Sequence, residues 1–366
     1  EICDNINIRE VIVMNEKNWH LRIGVTSSCN FRCVYCNPHG LHDAKPDVKY
    51  EDLCKLISAA TANGITRIHW TGGEPTVRKE LLELMKYAKE HGITQQVITT
   101  NGYTLHKNIE KYIEAGLTRV IVSIDTLEKK RFKELTGVDC LDDVLKTIEA
   151  CVKNLPTMTK LSIVTMKSTL PELKDFVDFV YKMNHKGYVG KLAMKLNQFF
   201  PCNPHQLDND GCNYWANEYV EREDIMEELS SISEMIPVNR KVIDGDNPTY
   251  DYFYMKDCDV IVGLLTLFSL KYPCGKCHKL RVQPSGNLSV CLQQKETYNF
   301  LNMNQEEMED LITKLFEIRE ELDINNPNRN HYRAQLGELR FGQVNEAKSI
   351  EYFEEQLNKK VKIKRK

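Results

Sequence analysis

The chain has 366 residues, 42% of them hydrophobic, and can therefore bury a large core in one or two domains. Its formal net charge of −3 argues against a general nucleic-acid or membrane-surface binder, and no apolar run is long enough to span a membrane. Thirteen cysteines without a visible secretion signal predict a reducing, cytoplasmic location, where clustered cysteines are metal ligands more often than disulfides.

Short β-branched runs alternate with amphipathic stretches through residues 19–200. The runs predict six strands, at 19–27, 65–73, 95–102, 118–125, 160–167 and 191–200. Helices are predicted between them, for example at 51–64, 78–92 and 170–184. Strands separated by helices of this length form parallel βαβ units. The predicted fold class is therefore α/β: a partial (β/α)6 barrel of the TIM type with a small C-terminal domain.

Four loops at the carboxyl ends of these strands carry unusual residues. They are Cys29, Cys33 and Cys36 after the first strand, 72–75 after the second, 100–102 after the third and 123–125 at the end of the fourth. Active sites of such barrels form where the strands end and the following loops begin. The sequence therefore predicts that one end of the barrel collects the chemistry.

The C-terminal third carries a second cysteine group, formed by Cys274, Cys277 and Cys291. Two short strands joined by the turn PSGN predict a hairpin that returns the last of these cysteines to the other two. The predicted domains are an N-terminal extension at 1–18, the barrel at 19–205, a connecting segment at 206–270 with a helix near 220–236, and an auxiliary domain at 271–366 with a tail helix at 305–324.

The spacing C-x3-C-x2-C of the first group places three thiols in a window of eight residues. A [4Fe–4S] cluster has four irons and usually takes four thiolates, so three cysteines leave one iron open to bind another molecule. A zinc site with a distant ligand and unpaired structural cysteines are the alternatives, and a zinc ribbon is the alternative for the second group. The spacing favours a cluster.

This motif, with Tyr35 before its third cysteine and TGGEP at 71–75, resembles the radical S-adenosylmethionine (SAM) superfamily. The resemblance implies that SAM chelates the open iron, and that one electron from the reduced cluster cleaves SAM to a 5′-deoxyadenosyl radical. It assigns the cluster to Cys29, Cys33 and Cys36, and SAM binding to Tyr35, Gly72, Gly73, Glu74, Asn101 and Ser123.

Longer blocks are similar to the GTP 3′,8-cyclases of molybdenum cofactor synthesis. They include LRIGVTSSCNFRCVYCNP, TGGEPTVRKELLELM, TTNGYTL and GLTRVIVSIDTL, and the resemblance spans residues 19–295. It implies a second, auxiliary [4Fe–4S] cluster on Cys274, Cys277 and Cys291, whose open iron binds the substrate purine.

The same resemblance implies a set of groups for a nucleoside triphosphate, which needs converging cations. The implied substrate residues are Arg22, Arg78, Thr100, Lys160, Lys195, Lys279 and Arg281. Lys279 and Arg281 are also predicted to take part in catalysis. For any one of these charges, a solvated surface position is the simpler alternative.

Several departures from the cyclase pattern put the substrate in question. The chain ends in KIKRK where the cyclases have a Gly-Gly tail, the fifth strand reads KLS (160–162) where they have Lys-x-Asn, and the sixth reads KLNQ (195–198) where they have Arg-Phe-Ile-Glu. Arg340 is a candidate to replace the missing tail. A fourth cysteine, Cys202, Cys212 or Cys258, could close the auxiliary iron.

The predicted function is that of a radical SAM lyase or cyclase that takes a hydrogen atom from a nucleotide and closes a carbon–carbon bond, on GTP or, as a paralogue, in natural-product synthesis. The alternatives are a peptide-modifying radical SAM enzyme with one auxiliary cluster and a non-catalytic iron–sulfur or zinc regulator. The predicted partners are a small-molecule nucleotide and an electron donor such as flavodoxin or ferredoxin, with no nucleic acid and no membrane. A homodimer is left open.

Overall fold

A computed structural model of the chain describes residues 19–36, 46–199, 217–238, 250–265, 278–290 and 296–321. The first six strands are β1 (His20–Gly24), β2 (Arg67–Thr71), β3 (Gln95–Thr100), β4 (Leu117–Ser123), β5 (Thr159–Thr165) and β6 (Leu192–Gln198). They are followed by β7 (Met235–Pro237), β8 (Asp251–Met255), β9 (Val260–Leu265), β10 (Lys279–Val282), β11 (Asn287–Ser289) and β12 (Tyr298–Asn299). All twelve form one sheet, ordered β12-β11-β10-β1-β2-β3-β4-β5-β6-β9-β8-β7.

The helices of the described segments lie between and after these strands. They are α1 (Tyr50–Ala62), α2 (Leu81–Glu90), α3 (Ile109–Glu114), α4 (Lys129–Thr136), α5 (Leu141–Asn154), α6 (Leu173–Asn184), α7 (Arg222–Ile232) and α8 (Gln305–Glu321). The helix α5 shows why they cover the sheet, since Val144, Ile148 and Cys151 recur at helical spacing and are fully buried.

The strands β1 to β6 are parallel and follow one another in chain order, so the predicted α/β fold with six βα units is confirmed. Successive residues of each strand face opposite sides of the sheet. On β1, Leu21 and Ile23 are fully buried in the core beneath the helices. Arg22 between them therefore faces the inside of the barrel.

The sheet is curled into a partial barrel. In a flat sheet β10 and β6, six strands apart, would be separated by about 29 Å at roughly 4.8 Å a strand. Charges in proteins act on one another mainly within about 10 Å. The charge of Lys279 on β10 is among those that lower the pKa of Lys195 on β6. This indicates that the sheet curls and that the inner faces of these two strands lie on opposite sides of the barrel interior.

Strands after β6 extend the sheet at both edges. The strand β9 pairs parallel with β6, and β8 pairs antiparallel with β9. Part of the predicted connecting segment at 206–270 is therefore β-sheet. The predicted hairpin is confirmed, since β10 pairs with β11 antiparallel, and β10 also joins β1 in parallel. The tail helix α8 packs on α1, where Trp19 stacks on Phe316 with ring centroids 4.3 Å apart.

The predicted division into domains stays a prediction. Its boundaries at 205 and 270 fall outside the described residues, and its boundary between 18 and 19 lies where the described residues begin. Across the part of the chain that the structure describes, no helix combines the length and apolar character needed to span a membrane.

Candidate active site

The loop after β1 is fixed at its start by a carboxylate. Asp47 accepts hydrogen bonds from the Thr26 hydroxyl at 2.5 Å and from the Ser27 N–H at 2.8 Å. The Thr26 oxygen in turn accepts the Ser28 N–H at 3.1 Å. The three residues that precede Cys29 are thus held in one conformation.

The cluster loop, residues 29–36, carries the three predicted cysteines and is bound to the end of α4. The Arg32 N–H donates to the Thr136 carbonyl at 2.9 Å, and the Val34 N–H donates to the Leu135 carbonyl at 2.9 Å. Two backbone hydrogen bonds to a regular helix therefore position the loop independently of any bound metal.

The three thiols of the cluster loop influence one another. Cys29 and Cys33 are half-buried and Cys36 is exposed. Burial raises the pKa of Cys33, and the charges of Asp125, Cys36 and Cys29 raise it further. Burial also raises the pKa of Cys29, although its sulfur accepts the Phe31 N–H at 3.4 Å. Thiols placed in this way ionise when a cation such as iron compensates their charge.

An iron–sulfur cluster and a single metal ion place different geometric demands on three cysteines. Among the residues that the structure describes, no three His, Cys, Asp or Glu side chains are grouped tightly enough to hold one ion. A [4Fe–4S] cluster demands less convergence, because each cysteine binds a different iron.

The glycine pair after β2 lies directly on the backbone of the loop after β1. Gly73 N–H donates to the Thr26 carbonyl at 2.7 Å. A Cβ on Gly72 would lie 2.4 Å from the Thr26 oxygen, and one on Gly73 would lie 2.2 Å from the Ser28 oxygen. Gly72 also has a φ of +146°, which side chains disfavour. This close contact places the TGGEP segment beside the start of the cluster loop.

Glu74 ties the ends of β2 and β3 together and is 1% exposed. Its Oε1 accepts the Thr76 N–H at 3.0 Å, the Thr76 hydroxyl at 2.6 Å and the Thr100 hydroxyl at 2.7 Å, while Oε2 accepts the Asn101 N–H at 2.7 Å. Burial raises the pKa of Glu74, and these hydrogen bonds offset part of that rise. Because a carboxylate has about four acceptor positions, only Oε2 keeps a free one for the predicted SAM amine.

A small cleft opens between the cluster loop and the carboxyl ends of β3 and β4. Predicted metal and SAM residues line it together with one carboxylate that the sequence analysis gave no role: Cys33, Tyr35, Asn101, Ser123 and Asp125. The structure thus brings the predicted SAM residues of three different loops to one cleft.

Asp125, which is 5% exposed, joins the cluster loop to β5. The Tyr35 hydroxyl donates to its Oδ2, and the Val164 N–H donates to its Oδ1 at 2.7 Å. Burial raises the pKa of Asp125 to about 6. The sequence analysis assigned Tyr35 to SAM binding, and the structure shows its hydroxyl bound to this carboxylate.

A group of cations, here called the cationic wall, lines the inner face of the sheet. Its members are Arg22 of β1, Arg119 of β4, Lys160 of β5, Lys195 of β6, and Lys279 and Arg281 of β10. The register supports a shared face, because Arg22 lies opposite Arg281 and strand neighbours of one pair point to the same side. Five of the six were predicted as substrate residues.

The members of the cationic wall are close enough to act on each other. Lys160 is 2% exposed and Lys195 is 6% exposed. Burial lowers the pKa of Lys195, and the charges of Lys160, Lys279, Arg22 and Arg119 lower it further. The sequence analysis missed Arg119, although its position two residues before Ile121 and four before Ser123 places it on the inner face of β4.

Two tyrosines from the edge of the sheet cover the lysines of the cationic wall. The ammonium of Lys195 lies 4.1 Å from the ring centroid of Tyr250, and that of Lys160 lies 5.3 Å from the ring centroid of Tyr252. Lys160 also donates to the Tyr252 hydroxyl at 3.3 Å. A Cβ on Gly263 would lie 2.8 Å from the Tyr252 ring, so this glycine leaves the space that the ring occupies.

His69 of β2 lies on the same face, opposite Arg22 in the register. Its Nε2 is 2.6 Å from the Thr99 hydroxyl. Burial lowers the pKa of His69 well below its usual range, and the charges of Arg22, His20, Lys195 and others add to the effect. A neutral imidazole therefore sits among cations, a feature that the sequence analysis did not find.

Two of the predicted substrate residues lie elsewhere. The Arg78 guanidinium donates to the Val25 carbonyl at 2.6 Å, lies 3.5 Å from the Glu80 carboxylate, and acts on the pKa of Cys54 in α1. Thr100 directs its hydroxyl to Glu74. Neither is brought to the cationic wall.

The remaining predicted residues lie largely outside the described segments. These are Cys274, Cys277, Cys291, Cys202, Cys212 and Arg340. Cys258 is described: it is half-buried in the turn before β9, where burial raises its pKa and Ser233 hydrogen-bonds to it. The second cluster and its fourth ligand therefore stay predictions.

Comparisons with known proteins agree with this arrangement. The family model described as the Radical SAM superfamily matches residues 23–180. A probable GTP 3′,8-cyclase of Pyrococcus abyssi is 30% identical over 279 residues, 76% of this chain and 85% of the relative. A GTP 3′,8-cyclase of Clostridium botulinum is 28% identical over 288 residues, 77% of this chain and 84% of the relative. Streptococcus suis SuiB bound to S-adenosylmethionine shares the fold, with a TM-score of 0.59 and 15% identity over 88% of this chain and 73% of that one.

Proposed function

Because the chain belongs to the radical SAM superfamily and to the family of the GTP 3′,8-cyclases, we propose that it is a cyclase that acts on a nucleoside triphosphate. The chain is a radical SAM enzyme, and SAM and a [4Fe–4S] cluster are its cofactors, as predicted. This excludes the non-catalytic regulator. The triphosphate substrate, the cyclisation and a second cluster are the parts that we propose.

The cationic wall is the observation that carries the proposal of a triphosphate. Six basic side chains on five strands converge on the inner face of the sheet, and three of the lysines are at least nine-tenths buried. A row of basic side chains on one face is the kind of surface that binds a polyanion. A triphosphate supplies several negative charges, and both arginines and lysines bind phosphates.

The proposed reaction uses two regions of the chain, the cluster loop with its cleft and the cationic wall. We assign Cys29, Cys33 and Cys36 to the cluster and the cleft beside them to SAM, with Asn101 and Ser123 in its lining. When bound, the cluster and SAM supply the 5′-deoxyadenosyl radical that takes a hydrogen atom from the substrate. The curled sheet and its helices surround the site and limit the access of water.

We also propose a second [4Fe–4S] cluster on Cys274, Cys277 and Cys291, which lie outside the described residues. Lys279, two residues after Cys277, pairs with His20 at the amino end of the parallel strands, whereas the cluster loop follows their carboxyl ends. A nucleotide on the cationic wall would lie between the two ends. It could then present its ribose to the SAM side and its base to the auxiliary side.

Anaerobic calorimetry on the reconstituted enzyme tests the triphosphate. We expect GTP and inorganic tripolyphosphate to bind, and guanosine to bind at least about 100-fold more weakly because it lacks the phosphate contacts. Arg281→Ala should weaken the affinity for GTP by about 10-fold or more. Arg131→Ala on α4 should leave the affinity for GTP unchanged. Equal affinity for GTP and guanosine would overturn the proposal.

The peptide-modifying alternative shares the fold but not this charge pattern. Its support is the likeness to SuiB, which at 15% identity concerns the fold alone. A cationic interior favours an anionic substrate over an ordinary peptide. The alternative would gain if SAM cleavage proved insensitive to every nucleotide in the panel.

A further inference from the structure

Two neutral side chains on the inner face of the sheet, Ser162 of β5 and Asn197 of β6, are hydrogen-bonded to each other. The Asn197 Nδ2 donates to the Ser162 hydroxyl at 3.0 Å. Leu161 and Ile163 are buried in the core beneath the helices, so Ser162 between them faces the inside of the barrel. Both members of this pair, here called the Ser–Asn pair, are half-buried and therefore border open space inside the barrel.

The orientation of the Asn197 amide is fixed by its surroundings. The carbonyls of Ile163 and Lys195, which can only accept, lie 3.3 Å from Nδ2 and identify that atom as the nitrogen. On the other side of the amide, the Tyr250 hydroxyl donates to Oδ1 at 2.5 Å. The nitrogen is thereby held against Ser162. Because the Ser162 hydroxyl accepts this bond, its own O–H can still donate to a ligand.

The Ser–Asn pair lies between the cationic wall and the cleft beside the cluster loop. In the strand register, Ser162 lies opposite Lys195 on one side and opposite Ser123 on the other. Lys195 belongs to the cationic wall, and Ser123 lines the cleft. Neighbouring strands are about 4.8 Å apart, so a ligand that extends about 10 Å from Lys195 to the cleft passes over Ser162.

We propose that the Ser–Asn pair binds a sugar hydroxyl of the substrate, so that the enzyme selects a ribonucleotide over the analogue that lacks this hydroxyl. This inference rests on the proposed function and names a further part of the substrate that the same site recognises. In a nucleoside triphosphate the sugar is the group next to the phosphates. Its secondary hydroxyls each donate and accept hydrogen bonds, which matches a neutral hydroxyl and amide.

The two positions of the Ser–Asn pair also lie in the segments where the sequence departs from the cyclase pattern, KLS at 160–162 and KLNQ at 195–198. A pair of residues that sets substrate preference is expected where a chain differs from its relatives. A site that binds a substrate hydroxyl rejects the analogue without it, because the polar groups of the site are then left unpaired. The pair therefore predicts a measurable discrimination.

The test is anaerobic calorimetry of the reconstituted holoenzyme. Affinities are measured for GTP, ATP, CTP and UTP, and then for the 2′-deoxy and 3′-deoxy analogues of the nucleotide that binds most tightly. We expect one of the two analogues to bind about tenfold more weakly than its parent. In Ser162→Ala this penalty for the missing hydroxyl should disappear, because parent and analogue then lack the same hydrogen bond.

Further variants separate recognition from a structural effect. Asn197→Ala should also remove the penalty, and it provides the second variant if Ser162→Ala does not fold. Tyr250→Phe keeps the ring beside Lys195 but loses the bond to Oδ1, so the penalty should shrink about threefold or more. The matched control is Ser231→Ala on the exposed side of α7, which should leave the penalty unchanged. Melting temperatures show whether each variant is folded.

The outcomes separate the two proposals. Equal affinities for the parent nucleotide and both deoxy analogues overturn the inference and leave the proposed function standing. A penalty that survives in both Ser162→Ala and Asn197→Ala also overturns it, because other groups would then bind the sugar. If none of the triphosphates binds, the inference and the proposed triphosphate substrate fail together.

Discussion

Single carboxylates hold the active end of this enzyme together. Asp125 and Glu74 are both nearly inaccessible, and each accepts hydrogen bonds from two different loops or strands. The sequence analysis did not predict that either carboxylate holds segments together. It placed Asp125 only at the end of a predicted strand. At the residue scale the site is therefore positioned by buried acceptors as much as by the cysteines.

Removing the Asp125 carboxylate should loosen the cluster loop. Asp125→Ala leaves the Tyr35 hydroxyl and the Val164 N–H without their acceptor, at a cost of about 1–3 kcal/mol for each unsatisfied group. We expect a lower melting temperature and SAM affinity reduced about tenfold, measured by equilibrium dialysis. Tyr35→Phe removes one of the two bonds and should have the smaller effect. A variant that bound SAM with wild-type affinity would show that the anchor is dispensable.

Glu74→Gln tests the acceptor between β2 and β3. A glutamine amide keeps one oxygen and offers N–H groups where Thr76, Thr100 and Asn101 also donate, so donors would meet donors. We expect loss of SAM binding and a destabilisation of about 2 kcal/mol or more in denaturant unfolding. Glu83→Gln on the exposed face of α2 is the control. Full SAM binding by Glu74→Gln would contradict this role.

At the scale of elements, the strands β8 and β9 beyond β6 cover part of the proposed substrate site. The Tyr252 ring lies over Gly263 to reach Lys160, and Tyr250 donates to Asn197 on β6. The sheet edge is thus part of the site wall rather than a separate support.

A side chain at residue 263 should displace the aromatic cover. The Cβ of Gly263→Ala would lie 2.8 Å from the Tyr252 ring, and we expect a destabilisation of about 1–3 kcal/mol together with weaker GTP binding. Gly92→Ala, where a Cβ would meet no atom within 4 Å but φ is +98°, controls for the loss of a glycine as such. Unfolding midpoints and calorimetry measure both effects. Unchanged GTP affinity would separate Tyr252 from the substrate site.

On the scale of the whole molecule, iron content counts the clusters. The proposal of two [4Fe–4S] clusters predicts about eight irons in each reconstituted chain, and replacement of Cys29, Cys33 and Cys36 by alanine should leave about four. The alanine variant should still fold, because backbone hydrogen bonds to α4 hold the cluster loop. A measured content of about four irons in each unaltered chain would contradict the proposal of a second cluster.

Much of this molecule could be predicted from its sequence because the signals are local. The β-branched runs predict β1 to β6, and the cysteine motif predicts one of the loops that line the cleft. Arg22, Lys160 and Lys195 were identified as substrate residues by resemblance, and strand alternation explains why they share one face. Those expectations depend on spacing within a few residues.

The features that were missed depend on contacts between distant segments. Tyr252 reaches Lys160 only because β8 and β9 pair and join β6. The pKa of His69 is lowered by burial inside the folded sheet, and the charges of Arg22 and His20 on β1 and of Lys195 on β6 lower it further. The Arg78 side chain donates to the Val25 carbonyl just after β1. The short helical turn after Glu74 sets this direction, and the spacing of residues in the sequence does not predict it.

The most direct test of the central proposal is the product of turnover. The reconstituted enzyme is reduced anaerobically with dithionite in the presence of SAM, offered GTP and a panel of other nucleotides, and analysed by mass spectrometry for 5′-deoxyadenosine. We predict that GTP or another nucleoside triphosphate accelerates 5′-deoxyadenosine formation and yields a product isomeric with that nucleotide. Slow SAM cleavage that no nucleotide changes would contradict the proposal and direct the search to peptides and other metabolites.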